Sequence, residues 1–71
     1  MLMNRSEIIG REIRAGIARM MLKQDDVAIM AHLSKSTFQR RLREPEKFTL
    51  DELLKLEKAL KIVLLNPNLK N

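Results

Sequence analysis

The chain has 71 residues, no cysteine and a net charge of +5, from 14 Lys and Arg against 9 Asp and Glu. This length suits one domain, and the lack of cysteine excludes disulfides and cysteine-based zinc sites. Because no apolar run approaches the ~20 residues of a membrane span and the opening residues do not form a secretory signal, we expect a cytoplasmic protein.

The positive charge is concentrated in the first part of the chain. Residues 1–43 hold nine basic and four acidic residues, whereas 44–71 hold five of each, and all seven Arg precede residue 44. A local excess of this kind predicts a surface for a polyanionic partner. An anionic membrane is the less favoured partner, because the apolar stripe of residues 5–22 is better explained by a folded core.

The first predicted helix runs from Asn4 to about Leu22 and begins with a capping box formed by Asn4 and Glu7. Gly16 weakens this helix by up to ~1 kcal/mol, so we expect another helix to approach closely there. Apolar residues recur every three or four positions and predict a buried face, which consists of Ile9, Ile13, Ile17 and Met20. Four basic residues mostly avoid that face and are expected to be solvated: Arg5, Arg11, Arg14 and Arg19.

Two short helices follow in close succession. One is predicted from Gln24 to about Ala31, and the next, roughly Lys35 to Arg43, begins after a capping Ser34 and ends before Pro45. The residues expected to face inward from the earlier of the two are Val27 and Ala28.

The helix at 35–43 has one apolar edge and one polar face. Phe38 and Leu42 lie within about 40° of each other around the helix axis and predict the edge that packs on the core. The far side is predicted to hold Ser36, Arg40 and Arg43, with Gln39 flanking. Such a helix is held by its apolar edge while it presents cations to a partner.

A fourth helix is predicted to begin at Thr49, which forms a capping box with Glu52. Its expected buried stripe is Leu50, Leu53, Leu56 and Leu60, and its expected solvated side is Lys55, Glu57 and Lys58. Residues 62–65 suit either a last helical turn or a short strand, and Asn66-Pro67 ends both. The chain is thus predicted to be all-α, with four to five short helices around one core in a single domain, 1–71.

The helix, turn and helix at about 24–43 form a helix-turn-helix arrangement. The spacing of this arrangement is carried by Gln24, Ala28, Ser34 and Phe38. In this spacing, in the segment from Thr49 to Leu56 and in its length, the chain resembles the lambda-repressor/Cro-like family, particularly phage Cro-type regulators. The resemblance covers roughly Ile9 to Ile62 and implies a lambda-repressor-like domain that binds double-stranded DNA in a bacterial or phage-infected cell.

The resemblance implies a phosphate contact for Gln24 and a set of residues that face the groove, namely Lys35, Ser36, Gln39, Arg40 and Arg43. Arg40 is the predicted guanine contact, and Gln39 either contacts adenine or makes a phosphate or water-mediated contact. Lys35, Arg43 and Lys47 are expected to bind phosphates, which position a protein without specifying sequence. The predicted DNA-binding set is Gln24, Ser34, Lys35, Ser36, Thr37, Gln39, Arg40, Arg43 and Lys47.

Two positions depart from the family pattern. His32 stands in the turn where Gly is usual, so we expect positive φ there at a cost of ~1 kcal/mol. Arg41 stands where many members have an apolar residue, and Leu42 is expected to pack on the core in place of that residue. The roll of the helix about its axis is therefore left open, and with it which of the neighbouring polar side chains enters deepest: Gln39, Arg40 or Arg43.

One recognition helix spans only a few base pairs, so we predict a homodimer, formed in solution or only on DNA, with recognition helices ~34 Å apart on a palindromic operator. The candidate dimer interface is Ile62, Val63, Leu64 and Leu65, within a possible dimerisation tail at 62–71, but closing the core is an equally good role for this segment. The predicted function is transcription regulation by a repressor that occupies its operator. The alternative is an antitoxin or adaptor that uses the same fold to bind a protein.

Other chemistries find little support in the sequence. His32 is the only histidine, and the serines lack a partner base, so we expect no metal, cofactor, small-molecule ligand or enzymatic activity. With two Phe and no Trp or Tyr, the chain lacks an aromatic platform for stacking unpaired bases. Double-stranded DNA is the favoured nucleic acid.

Overall fold

The computed structural model describes residues 4–65, and within that range the chain forms four α-helices and a short 3-10 turn. The helices are α1 (Arg5–Arg19), α2 (Gln24–Met30), α3 (Lys35–Arg43) and α4 (Leu50–Leu60), with the 3-10 turn at Pro45–Lys47. The predicted all-α fold of four to five short helices is confirmed, and α2 and α3 occupy the predicted span at about 24–43. In the described part of the chain, no helix has the length and apolar character needed to cross a bilayer.

The first turns of α1, α3 and α4 are capped by side chains, as the sequence predicts. In α1, the Asn4 side chain accepts from the backbone N–H of Glu7 at 2.8 Å, and Glu7 accepts in return from the backbone N–H of Asn4 at 3.0 Å. Ser34 accepts from the backbone N–H of Thr37 at 3.2 Å. The capping box of α4 consists of Thr49 and Glu52. These bonds satisfy N–H groups that a helix leaves without internal partners.

Three helices end at a non-glycine residue in the left-handed region. The residues are Met21 after α1 (φ 56°), His32 after α2 (φ 61°) and Lys61 after α4 (φ 56°). After α2, for example, Leu33 N–H donates to the Ala28 carbonyl oxygen at 2.8 Å and His32 N–H to that of Ile29 at 3.0 Å. The residue after each left-handed position packs against the core, and these residues are Leu22, Leu33 and Ile62. The positive φ predicted for His32 is confirmed.

Every helix contributes a fully buried side chain to one core, and these include Ile13, Val27, Phe38, Leu56 and Leu60. Phe48, from the segment between α3 and α4, packs on Phe38 with ring centroids 6.2 Å apart. Two expected core residues are instead exposed, Met20 at 38% and Leu50 at 63%. Met20 lies beyond the last residue of α1, and Leu50 is the first residue of α4, so both lie past the edge of the core.

Both glycines of α1 lie where another segment comes close. A Cβ at Gly16 would lie 3.2 Å from side-chain atoms of Leu60 and Ile62, which confirms the predicted close approach of a helix. A Cβ at Gly10 would lie 3.0 Å from the Pro45 side chain. Gly10 and Gly16 thus let α1 lie tightly against the 3-10 turn and the end of α4.

The segment after α4 folds back onto the chain's own core. Leu64 is buried, and the backbone N–H groups of Leu64 and Leu65 both donate to the Glu57 carboxylate at 2.6 Å. Glu57 was expected to be solvated, and that expectation is wrong because its carboxylate holds this segment. Val63 points outward, while Ile62 and Leu65 are partly buried. A contact of this segment with a second copy stays a prediction, and the rest of the predicted tail, 66–71, lies outside the described residues.

Candidate nucleic-acid interface

The polar face of α3 points away from the core. Phe38 and Leu42 are buried, and counting about 100° per residue, Arg40 lies about 180° from the midpoint of these two anchors. Arg40 is therefore the side chain that projects most directly outward. Its neighbours on the exposed side are Ser36, Gln39 and Arg43.

A chain of hydroxyls at the start of α3 restrains Arg40. The Ser34 hydroxyl donates to the Thr37 hydroxyl at 2.9 Å, and the Arg40 guanidinium donates to the same Thr37 oxygen at 3.3 Å. Thr37 itself is partly buried, which limits its rotamers. A side chain restrained in this way loses less conformational entropy when it binds a partner.

Lys35 is paired with an acid of α2. Its ammonium lies 3.3 Å from the Asp25 carboxylate, with the two side chains 60% and 56% exposed. An ion pair this exposed contributes little to stability and exchanges readily with solvent. Lys35 can therefore leave Asp25 for another anion.

One side of α3 borders a shallow depression formed with α1 and α2. Its lining includes Gln24 from the start of α2, Gln39 and Arg43 from α3, and Arg14 from α1. Arg14 is exposed, as expected, and its guanidinium also donates to the backbone carbonyl of Leu42 at 3.2 Å. The structure thus brings two predicted DNA ligands of α3 next to Gln24, and adds Arg14.

The other side of α3 borders a second depression, towards the 3-10 turn. Its lining joins Thr37 and Arg40 to Lys47, which lies outside the helix-turn-helix. Glu44 and Arg41 complete the lining. Two polar depressions with cations at their rims therefore flank the ridge of α3.

Arg41 and Glu52 form a partly buried ion pair between α3 and α4. Leu42 packs in the core, as the sequence predicts, while Arg41 lies on the flank facing α4. Neither the role of Arg14 nor that of Arg41 followed from sequence, because their partners lie 28 and 11 residues away and no local pattern marks them.

One exposed carboxyl of the described chain has a shifted pKa, and it lies on α4. A hydrogen bond and the positive charge of Lys55 hold the pKa of the exposed Asp51 carboxyl below its usual value. This ordinary surface effect lies on α4 rather than at the depressions beside α3. Among residues 4–65, no three His, Cys, Asp or Glu side chains converge in a way that would hold a metal ion.

Comparison of the chain with family models, curated proteins and solved structures gives no match. The function of the chain therefore has to follow from its own surface. That surface is a short cationic ridge, anchored by its apolar edge and bordered on both sides by polar depressions.

Proposed function

We propose that this protein is a sequence-specific double-stranded DNA-binding regulator of transcription that inserts α3 into the major groove. The observation that carries the proposal is the division of α3 into a buried edge, Phe38 and Leu42, and an opposite exposed face centred on Arg40. A major groove about 12 Å wide admits one α-helix presented in this way.

The two depressions beside α3 support the same proposal. A helix in the major groove has one phosphate backbone on each side, and phosphate contacts fix its register on the duplex. Gln24 and Arg43 lie on one side of α3 and Lys47 on the other, so each backbone would meet polar or cationic groups. Arg40, between them, is the proposed guanine ligand.

One recognition helix contacts only a few base pairs, so a regulator that acts by occupying its operator needs two copies to be specific. Two copies on a palindromic site would double the recognised sequence, with their α3 helices ~34 Å apart. The decisive experiment is selection of bound duplexes from a random pool. A palindromic consensus would support a two-fold dimer, a single half-site would support a monomer, and no enrichment would contradict DNA recognition.

The role of Arg40 is tested by Arg40→Ala against the selected duplex and its one-base variants. Loss of a bidentate guanine contact removes ~1–3 kcal/mol of discrimination at one base pair. We therefore expect weaker binding to the selected duplex and relaxed preference at that base pair. An equal loss on every duplex would instead make Arg40 a phosphate ligand.

A protein-binding adaptor or antitoxin is the second candidate, favoured by the exposed apolar side chains of Leu50 and Leu54 on α4. The dependence of binding affinity on salt concentration distinguishes the two functions. Affinity for DNA falls with salt with a log–log slope of about −0.9 for each neutralised phosphate, whereas a complex held by apolar contacts responds much less. A steep salt dependence with duplex DNA supports the regulator.

A further inference from the structure

The contact between Arg41 and Glu52 joins the recognition helix to the cap of α4. The Arg41 guanidinium donates to Oε1 of Glu52, and the two side chains are 25% and 14% exposed. The same oxygen accepts from the backbone N–H of Thr49 at 2.9 Å. One carboxylate oxygen therefore closes the capping box of α4 and binds α3 as well.

We infer that Arg41 is a positioning residue, which acts through Glu52 to set the roll of α3 about its axis and does not bind DNA. This inference rests on the proposed DNA-binding function. Phe38 and Leu42 lie along one edge of α3, and a nine-residue helix can rock about such an edge. Arg41 lies about 80° round the helix from the midpoint of that edge, so its contact with α4 resists the rocking motion.

Small rotations of α3 matter at the proposed interface. With side chains, a helix is about 10–12 Å across, so a roll of about 20° moves an outward side-chain tip by about 2 Å. A hydrogen bond between nitrogen and oxygen spans only about 2.9 Å, so a shift of this size breaks a base contact. The roll that Arg41 sets therefore decides whether Arg40 meets a base edge.

The charge of Arg41 is already balanced. Glu52 is the least exposed member of the pair, and leaving its carboxylate partly buried without a counter-charge is unfavourable. Arg41 is thus held where it is when phosphate approaches, unlike Lys35, whose partner Asp25 is well exposed. The cations that α3 offers to DNA are Lys35, Arg40 and Arg43.

The experiment measures salt dependence and base preference of binding to the selected duplex for Arg41→Met and Glu52→Gln. Met keeps an unbranched side chain, and Gln keeps an oxygen acceptor for Thr49 while it loses the charge. We expect both variants to lose preference for the selected duplex over its one-base variants, and Arg41→Met to keep the wild-type salt slope. The double variant should lose no more base preference than Arg41→Met alone, because both substitutions disrupt the same ion pair.

Arg43→Met is the matched control, since Arg43 is a proposed phosphate ligand on the same helix. Its salt slope should become shallower by ~0.9, with base preference kept. If Arg41→Met makes the salt slope shallower by the same amount while Glu52→Gln behaves like wild type, Arg41 binds phosphate. That result would overturn the inference and leave the proposed function standing. Unchanged base preference in both Arg41→Met and Glu52→Gln would also overturn it. A wild-type chain without duplex affinity would overturn both proposals.

Discussion

The guanidinium of Arg14, in the middle of α1, donates to the backbone carbonyl oxygen of Leu42 in the last turn of α3, at 3.2 Å. The last four carbonyls of a helix have no partner within it, and a cation near them also interacts favourably with the helix dipole. One side chain thus ties α1 to the C-terminal end of the proposed recognition helix.

Arg14→Ala should lower the free energy of unfolding by about 1 kcal/mol, because the Leu42 carbonyl loses its partner in a partly buried position. Urea denaturation measures this change. Arg19→Ala, an exposed position on the same helix, is the control and should change stability by less than about 0.5 kcal/mol. Equal effects of the two substitutions would show that the bond to Leu42 contributes nothing.

Phe38→Ala should be among the most damaging substitutions in the chain. Phe38 is fully buried and packs on Phe48, so its truncation leaves a cavity in a small core. We expect a loss of about 3–5 kcal/mol, enough to unfold much of the protein at room temperature. Thermal melting followed by circular dichroism measures it, with Phe38→Leu as a milder control. A melting temperature like that of wild type would contradict the burial of Phe38.

Glycine should be neutral or stabilising at the left-handed helix ends. His32 has φ 61° and Met21 φ 56°, a region in which a side chain clashes with its own backbone. His32→Gly and Met21→Gly remove the clash, and we expect each to raise stability by up to ~1 kcal/mol. His32→Ala keeps a Cβ and should give no such gain. A similar gain from alanine would locate the cause in the imidazole rather than in the backbone.

Asp25→Asn should strengthen DNA binding, since it releases Lys35 from its ion pair and removes an acid from the proposed interface. Electrophoretic mobility shifts over a salt series measure the effect, and we expect the salt slope to steepen by up to ~0.9 as Lys35 becomes available to a phosphate. Asp26→Asn is the matched control, because it removes the same charge from the same first turn of α2. If the two substitutions raise affinity equally, net charge alone explains the gain.

Local sequence signals were enough to predict most of the helix boundaries. Asn4, Ser34 and Thr49 begin helices because a capping side chain bonds to N–H groups only two or three residues ahead. Phe38 and Leu42 anchor α3 because their spacing places them on one edge of any α-helix. Helix caps and helical periodicity depend on residues only a few positions apart, so they can be predicted directly from the sequence.

The positive φ at Met21 and Lys61 escaped prediction, although the one at His32 did not. His32 was marked by the resemblance, which places Gly in the turn, whereas Met21 and Lys61 carry no glycine signal. A local clue does exist in the apolar residue that follows each left-handed position and packs on the core, such as Leu22. It becomes decisive only when the core is known.

The sequence by itself determined an all-α chain, the caps of α1, α3 and α4, and the apolar edge and polar face of α3. Only the tertiary structure decided that Arg14 and Arg41 contact distant segments of the fold and that Glu57 holds the segment after α4. Capping and helical periodicity arise within a few residues. The partner of a long charged side chain depends on which distant segment the fold brings within its reach.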